Sequence, residues 1–232
     1  MRNSPLLTSF ATLFLLLSCR PQEKEITVEF QLIQDGIPYE KSTSFNKGDT
    51  AIALDLFHFY VSELYLGDQM LSEVLFVDPS DSLFSNYTLP VDKSHDQLSF
   101  GLGVPSQLNN MDPTVFETSH PLSSAFAMYW TWASKYRFLK VEGRFNDSGD
   151  LSNAGSNNSI IWHTGTDDLY RMASFNEQIN PGDHVVIALD LDQLFGAVSL
   201  ENNGFTHTTI STYATAELVT DQIISALSFN VR

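Results

Sequence analysis

Thr50-Ala51-Ile52-Ala53-Leu54-Asp55-Leu56-Phe57-His58-Phe59-Tyr60-Val61-Ser62-Glu63-Leu64-Tyr65-Leu66-Gly67 is the stretch on which the fold turns. Phe57, Phe59 and Val61 fall on one side of an extended chain and His58, Tyr60 and Ser62 on the other, which is the period of two that a strand requires. The same period recurs far more often than 3.6, upstream in Ile26–Ile33 and downstream in Val74–Asp78, Gln97–Gly103, Arg137–Phe145, Ser159–His163, Leu169–Phe175, Asp183–Leu191 and Ala197–Glu201. Gly, Pro, Asn and Asp separate these runs roughly every ten residues. Nine short strands with little helix predict an all-β fold, a sandwich of two antiparallel sheets. One stretch departs from the pattern: Tyr213–Ala226 carries Ala214, Leu218, Ile223 and Ala226 among Thr, Glu and Gln, and predicts one short C-terminal helix. Between Asn146 and Ser159 the composition turns to Asn, Ser, Gly and Asp, a solvated loop between two strands and not a domain linker.

The first twenty residues belong to none of this. Arg2 precedes an apolar run, Leu13-Phe14-Leu15-Leu16-Leu17, and small Ser18 stands immediately before Cys19, the layout of a secretory signal. A spanning helix needs about 20 apolar residues, and Arg20, Glu23, Lys24 and Glu25 end the run too early. Leu16-Leu17-Ser18-Cys19 resembles the lipobox of bacterial lipoproteins, which implies diacylglycerol on the Cys19 thiol and cleavage before it. The expected organisation is a signal peptide over 1–18, a lipidated tether over 19–25 and one β domain over 26–232, held in the cell envelope through a membrane anchor at Cys19. The alternative is an ordinary secretory signal that happens to contain a cysteine.

One cysteine in 232 residues leaves no internal disulfide, no Cys-based zinc or iron-sulfur site and no thiol pair for redox exchange. The balance of 12 Lys+Arg against 28 Asp+Glu, net −16, repels phosphate backbones and anionic headgroups, so nucleic acid is not an expected partner. Such acidity is compatible with cation capture or a basic partner, but solubility accounts for most of these charges.

Enzyme signatures are missing. The chain has no G-x-S-x-G elbow, no H-E-x-x-H, no phosphate-cradling G-x-x-x-x-G-K and no G-x-G-x-x-G turn. Asp167, Asp168, Asp190 and Asp192 do not stand out as an acid and its base from an acidic background. The expectation is a protein without catalytic activity. Its six histidines, His58, His95, His120, His163, His184 and His207, are scattered, so any metal site made from them must be assembled by the fold. Taken singly, each reads as a structural or surface residue sooner than as a ligand.

Met128-Tyr129-Trp130-Thr131-Trp132-Ala133-Ser134-Lys135-Tyr136-Arg137-Phe138-Leu139-Lys140-Val141-Glu142-Gly143 places five aromatics in eleven residues, ahead of a strand. It resembles the M-[YF]-W-T-W-x-S-G-Y-x-F-x-K-x-E-G segment of the MbnP-like family, periplasmic proteins named after the partner of methanobactin cassettes. Further pieces follow in the family's order. Phe59-Tyr60-Val61-Ser62-Glu63-Leu64 resembles its Y-[IV]-S-N strand and Phe76-Val77-Asp78-Pro79-Ser80-Asp81 its [LV]-V-D-x-x-D turn. Phe100-Gly101-Leu102-Gly103-Val104 with Asn109 resembles its F-x-[IL]-G-V element, and His163-Thr164-Gly165 its H-x-G. Two departures stand out: Lys135 replaces a glycine, which is costly if that position needs positive φ, and His120-Pro121 replaces a D-P.

The resemblance implies copper held by histidines together with a kynurenine, made by oxidising a tryptophan with the help of a partner diheme cytochrome c peroxidase. His163 matches the histidine of H-x-G, and His207 matches a late position before the terminal helix. His120 is a further candidate ligand special to this chain, and Trp130 or Trp132 is the candidate modified side chain. Imidazoles and a thioether such as Met128 suit Cu(I) in a site screened by aromatics. Two readings of function remain open: a copper-binding lipoprotein of metal acquisition or handling, and a lipid-anchored adhesion or carbohydrate-contact module using exposed aromatics. The first requires His163 and a second histidine to converge beside Trp130 or Trp132. The second requires those tryptophans in an exposed patch without imidazoles.

Overall fold

A computed structural model describes residues 24–130 and 135–232; Cys19 and Trp132 lie outside the described residues. The stretch quoted above is a single 17-residue strand, Thr50–Leu66, at the centre of a nine-stranded sheet. It pairs antiparallel with Lys135–Asn146, with Leu98–Leu102, with Gln69–Val77 and with Ser44–Lys47. The sheet continues through Arg171–Phe175 on one side and through Asn158–Gly165 and the two-residue strand Phe205–Thr206 on the other.

A second, five-stranded sheet is built on Glu25–Gln34, flanked by His184–Asp190, Ile37–Pro38 and Asn86–Pro90, with Leu227–Val231 outermost. Val28, Phe30 and Leu32 of this sheet and Phe57, Phe59, Val61 and Phe100 of the larger one fill one apolar core. Phe30 meets Phe59 edge-on at 6.0 Å and Phe100 at 6.3 Å, the T-shaped contact that aromatic quadrupoles favour. Two sheets around a shared core agree with the sequence pattern.

The all-antiparallel expectation is corrected. Glu25–Gln34 runs parallel to His184–Asp190, and Asn158–Gly165 runs parallel to Phe205–Thr206, so both sheets are mixed. Alternation reports which face a residue lies on and carries no strand direction. The expected strand Ala197–Glu201 is likewise replaced by helix. Leu191–Ala197 and Leu200–Asn203 are helical, the first capped by Asp190 accepting from Gln193 N and burying Leu191, Leu194 and Phe195 at helical spacing. The terminal helix, Tyr213–Ser225, buries Ala216, Val219, Thr220 and Ile223. No helix among the described residues is long and apolar enough to cross a membrane.

The outer face of the larger sheet is also covered. Tyr60 is fully buried there with Val74, Phe76, Val104, Leu122, Met128, Tyr136 and Phe138 in a second apolar cluster. Tyr60 donates to Pro121 O and Tyr136 to Leu122 O, so both hydroxyls are satisfied. This face reads as polar in the sequence because Tyr and Ser sit on it. Its burial comes from the chain between Val104 and Met128 folding over it.

Lys135, the residue that replaces a glycine, does need positive φ: its value is 62°. A left-handed L-residue costs about 1–2 kcal/mol, and glycine returns about 0.5–1 of that as unfolded-state entropy. Lys135→Gly is therefore expected to stabilise the fold by about 0.5–1 kcal/mol, read as a higher urea midpoint at unchanged slope. An unchanged or lower midpoint would show that the contact of Lys135 Nζ with Asn110 Oδ1 outweighs the strain.

Candidate metal centre

The parallel pairing creates the site. Ile161 pairs with Phe205 and Trp162 with Thr206, so the next residues along, His163 and His207, lie side by side. Trp162 is fully buried in the main core and Thr206 is equally buried. By alternation their neighbours turn to the outer face. His163 Nδ1 and His207 Nδ1 are 3.1 Å apart, with ring centroids 4.8 Å apart.

His163 is 6% exposed, and its Nε2 lies 2.9 Å from Glu142 Oε1. Glu142 reaches it as a diagonal cross-strand neighbour, since Lys140 is the residue directly opposite His163. Lys140 Nζ is 3.5 Å from the same Glu142 oxygen. Burial raises the Glu142 carboxyl, but the hydrogen bond from His163 and the Lys140 charge outweigh it, and the group is held below its ordinary value. An ionised Glu142 accepts from Nε2–H, which leaves the His163 Nδ1 lone pair to receive Nδ1–H of His207. Burial, helped by the charges of Arg137 and His207, pushes His163 down to about 4 against the pull of Glu142. Burial and Arg137 lower His207 as well. Both rings are thus neutral at pH 7, the form that ligates metal.

Trp130 closes the site. It pairs through its backbone with Lys135, and its ring centroid lies 5.1 Å from His163 and 4.7 Å from His207. Arg137 stands over this indole, Cζ 4.5 Å from the ring centre. Half-exposed Phe205 packs edge-on against His207 at 4.6 Å. Thr208 Oγ1 donates to His163 O and fixes the strand beside its neighbour.

Of the residues singled out in the sequence, the fold brings His163, His207 and Trp130 together. His120 is engaged elsewhere, stacked on Phe116 at 4.2 Å with Nδ1 accepting from Leu122 N. His58 Nε2 meets Asp78 Oδ2 at 3.0 Å, and His95 Nε2 meets Asp92 Oδ1 at 2.9 Å. Met128 is buried in the outer apolar cluster. Glu142 and Arg137 carry the electrostatics of the site and had no role in the sequence reading. Their only signal was membership of the aromatic segment, because the pairing that sets Glu142 against His163 is long-range.

The residues fit an imidazole-bound metal. Two neutral, adjacent ring nitrogens are separated by a span that two metal–imidazole bonds of about 2 Å each can bridge. Among the described residues no group of three or more His, Cys, Asp or Glu side chains is arranged to hold a metal.

A family model described as MbnP matches residues 23–212. Among solved structures the chain is similar to MbnP from Methylosinus trichosporium, with 16% sequence identity, a TM-score of 0.54, and 77% of this chain and 80% of that one covered. At that identity the likeness is one of fold. No curated protein sequence matches the chain. Since the family model spans far more than half of its length, the chain belongs to the MbnP family.

Proposed function

We propose that the protein is a lipid-anchored, extracytoplasmic copper-binding protein of metal acquisition or handling, with His163 and His207 as its imidazole ligands. The observation that carries this reading is the meeting of both rings with each other and with Trp130. Cu(I) is satisfied by few, soft or imidazole ligands, and the aromatic wall of Trp130 and Phe205 screens the pair from water. Trp130, beside both imidazoles, is the candidate for oxidation to a kynurenine that would add a further ligand, with a diheme cytochrome c peroxidase as the proposed partner. The half-buried Trp130, enclosed by imidazoles and a guanidinium, supports this reading over an exposed aromatic contact surface.

The test is a Cu(I) titration of the protein produced with its native peroxidase partner, with intact mass as companion. Expected is one copper per chain, with affinity falling by about 100-fold or more in His163→Ala and in His207→Ala, more than the loss of an outer-shell partner brings. Trp130→Phe is expected to remove the mass gain of a tryptophan-to-kynurenine conversion. Copper binding that survives both histidine substitutions would sink the reading.

A further inference from the structure

Arg137 is 7% exposed, in a chain with 28 acidic residues. Arg144 and Arg171 each reach an aspartate at 2.7 Å. Arg137 forms no ion pair within 4 Å among the described residues, although a buried charge ordinarily demands one. Its Nη2 donates to Ala127 O at 2.6 Å, its Nε is buried without a hydrogen-bond partner, and its guanidinium plane is spent on the Trp130 indole. That indole touches both imidazoles. Among the described residues, Glu142 also feels the Arg137 charge, but Lys140 lies 3.5 Å from its carboxylate and offsets it. What remains beside His163 and His207 is a fixed, screened positive charge that does not titrate in the working pH range.

Resting on the copper reading, we infer that Arg137 determines which charge state of the metal the site accepts, favouring Cu(I) over Cu(II). The repulsion between the guanidinium and a bound ion scales with the ion's charge, so a divalent ion suffers twice what a monovalent one does. One additional unit charge about 10 Å away in an effective dielectric of about 20 is worth on the order of tenfold in affinity. Arg137 ligates nothing and transfers no electron; it is a specificity-determining residue acting through the field at the pair.

The experiment measures Cu(I) affinity under anaerobic, reducing conditions against a bicinchoninate competitor, and Cu(II) affinity against a glycine competitor, on the full chain. In Arg137→Met, which keeps the aliphatic stem, the Cu(II) to Cu(I) affinity ratio is expected to rise by on the order of tenfold. Arg137→Gln, which keeps a donor for Ala127 O, is expected to do the same and serves if the methionine variant does not fold. Arg137→Lys retains the charge and is expected to keep the wild-type ratio. An unmoved ratio in the neutral variants, with both affinities falling together, would reduce Arg137 to a prop for the Ala127–Met128 turn and overturn the inference. So would a lysine variant that behaves like the neutral ones. Wild-type copper binding indifferent to His163→Ala marks failure of the underlying reading instead.

Discussion

Trp162→Ala is expected to destabilise the protein by about 3–5 kcal/mol. Trp162 is the largest of the fully buried side chains, with its indole stacked on Phe195 at 5.5 Å and its Nε1 donating to Asn203 O at 2.7 Å. Truncation opens a large cavity between the main sheet and the Leu191–Ala197 helix, and it orphans a carbonyl at the end of Leu200–Asn203. The same residue carries the strand register that sets His163 beside His207. Chemical denaturation of the variant checks the figure, and Trp162→Phe, which refills most of the volume, should recover more than half of it. A loss below about 1 kcal/mol for the alanine variant would mean that the site's scaffold does not rest on this indole.

Gly143→Ala is the second large effect, expected at about 3 kcal/mol or more. A Cβ at Gly143 would lie 2.4 Å from Ala53 O and 3.1 Å from Leu54 Cα, both backbone atoms of the central strand. No side-chain rotation relieves that contact, and the neighbouring irregularity between Leu54 and Leu56 leaves the backbones unusually close. Overpacking against rigid backbone falls at or beyond the upper end of the usual 1–3 kcal/mol range. Gly155→Ala is the control: its new Cβ approaches nothing closer than 3.6 Å, so its effect stays within about 0.5 kcal/mol. Equal midpoints for the two variants in urea would contradict the close approach.

What the sequence revealed and what it withheld follow from the physics of each signal. Period-two alternation located Thr50–Leu66 and Lys135–Asn146 to within two residues, because each has one face on a deep core. It missed Asn86–Pro90 and Leu227–Val231, five-residue strands in the smaller sheet whose side chains are only half-buried on their better face. Val198 and Leu200 alternate like a strand, yet Asp190 and the spacing of Leu191, Leu194 and Phe195 mark a helix end that the alternation overrode. For the site, His163 stood out through its motif. That His207 would be its partner depends on Phe205–Thr206, two residues paired in parallel across more than forty positions of chain, for which no local pattern exists. Arg137 and Glu142 were in view throughout, and only the fold assigns them to the imidazole pair.

The central claim is that copper is held by the adjacent imidazoles, and copper K-edge X-ray absorption of the Cu(I)-loaded protein addresses it most directly. The account predicts imidazole scattering from two rings in the wild type, reduced in His207→Ala and absent in the His163→Ala/His207→Ala double variant. Copper retained by the double variant with an unchanged imidazole signature would contradict it.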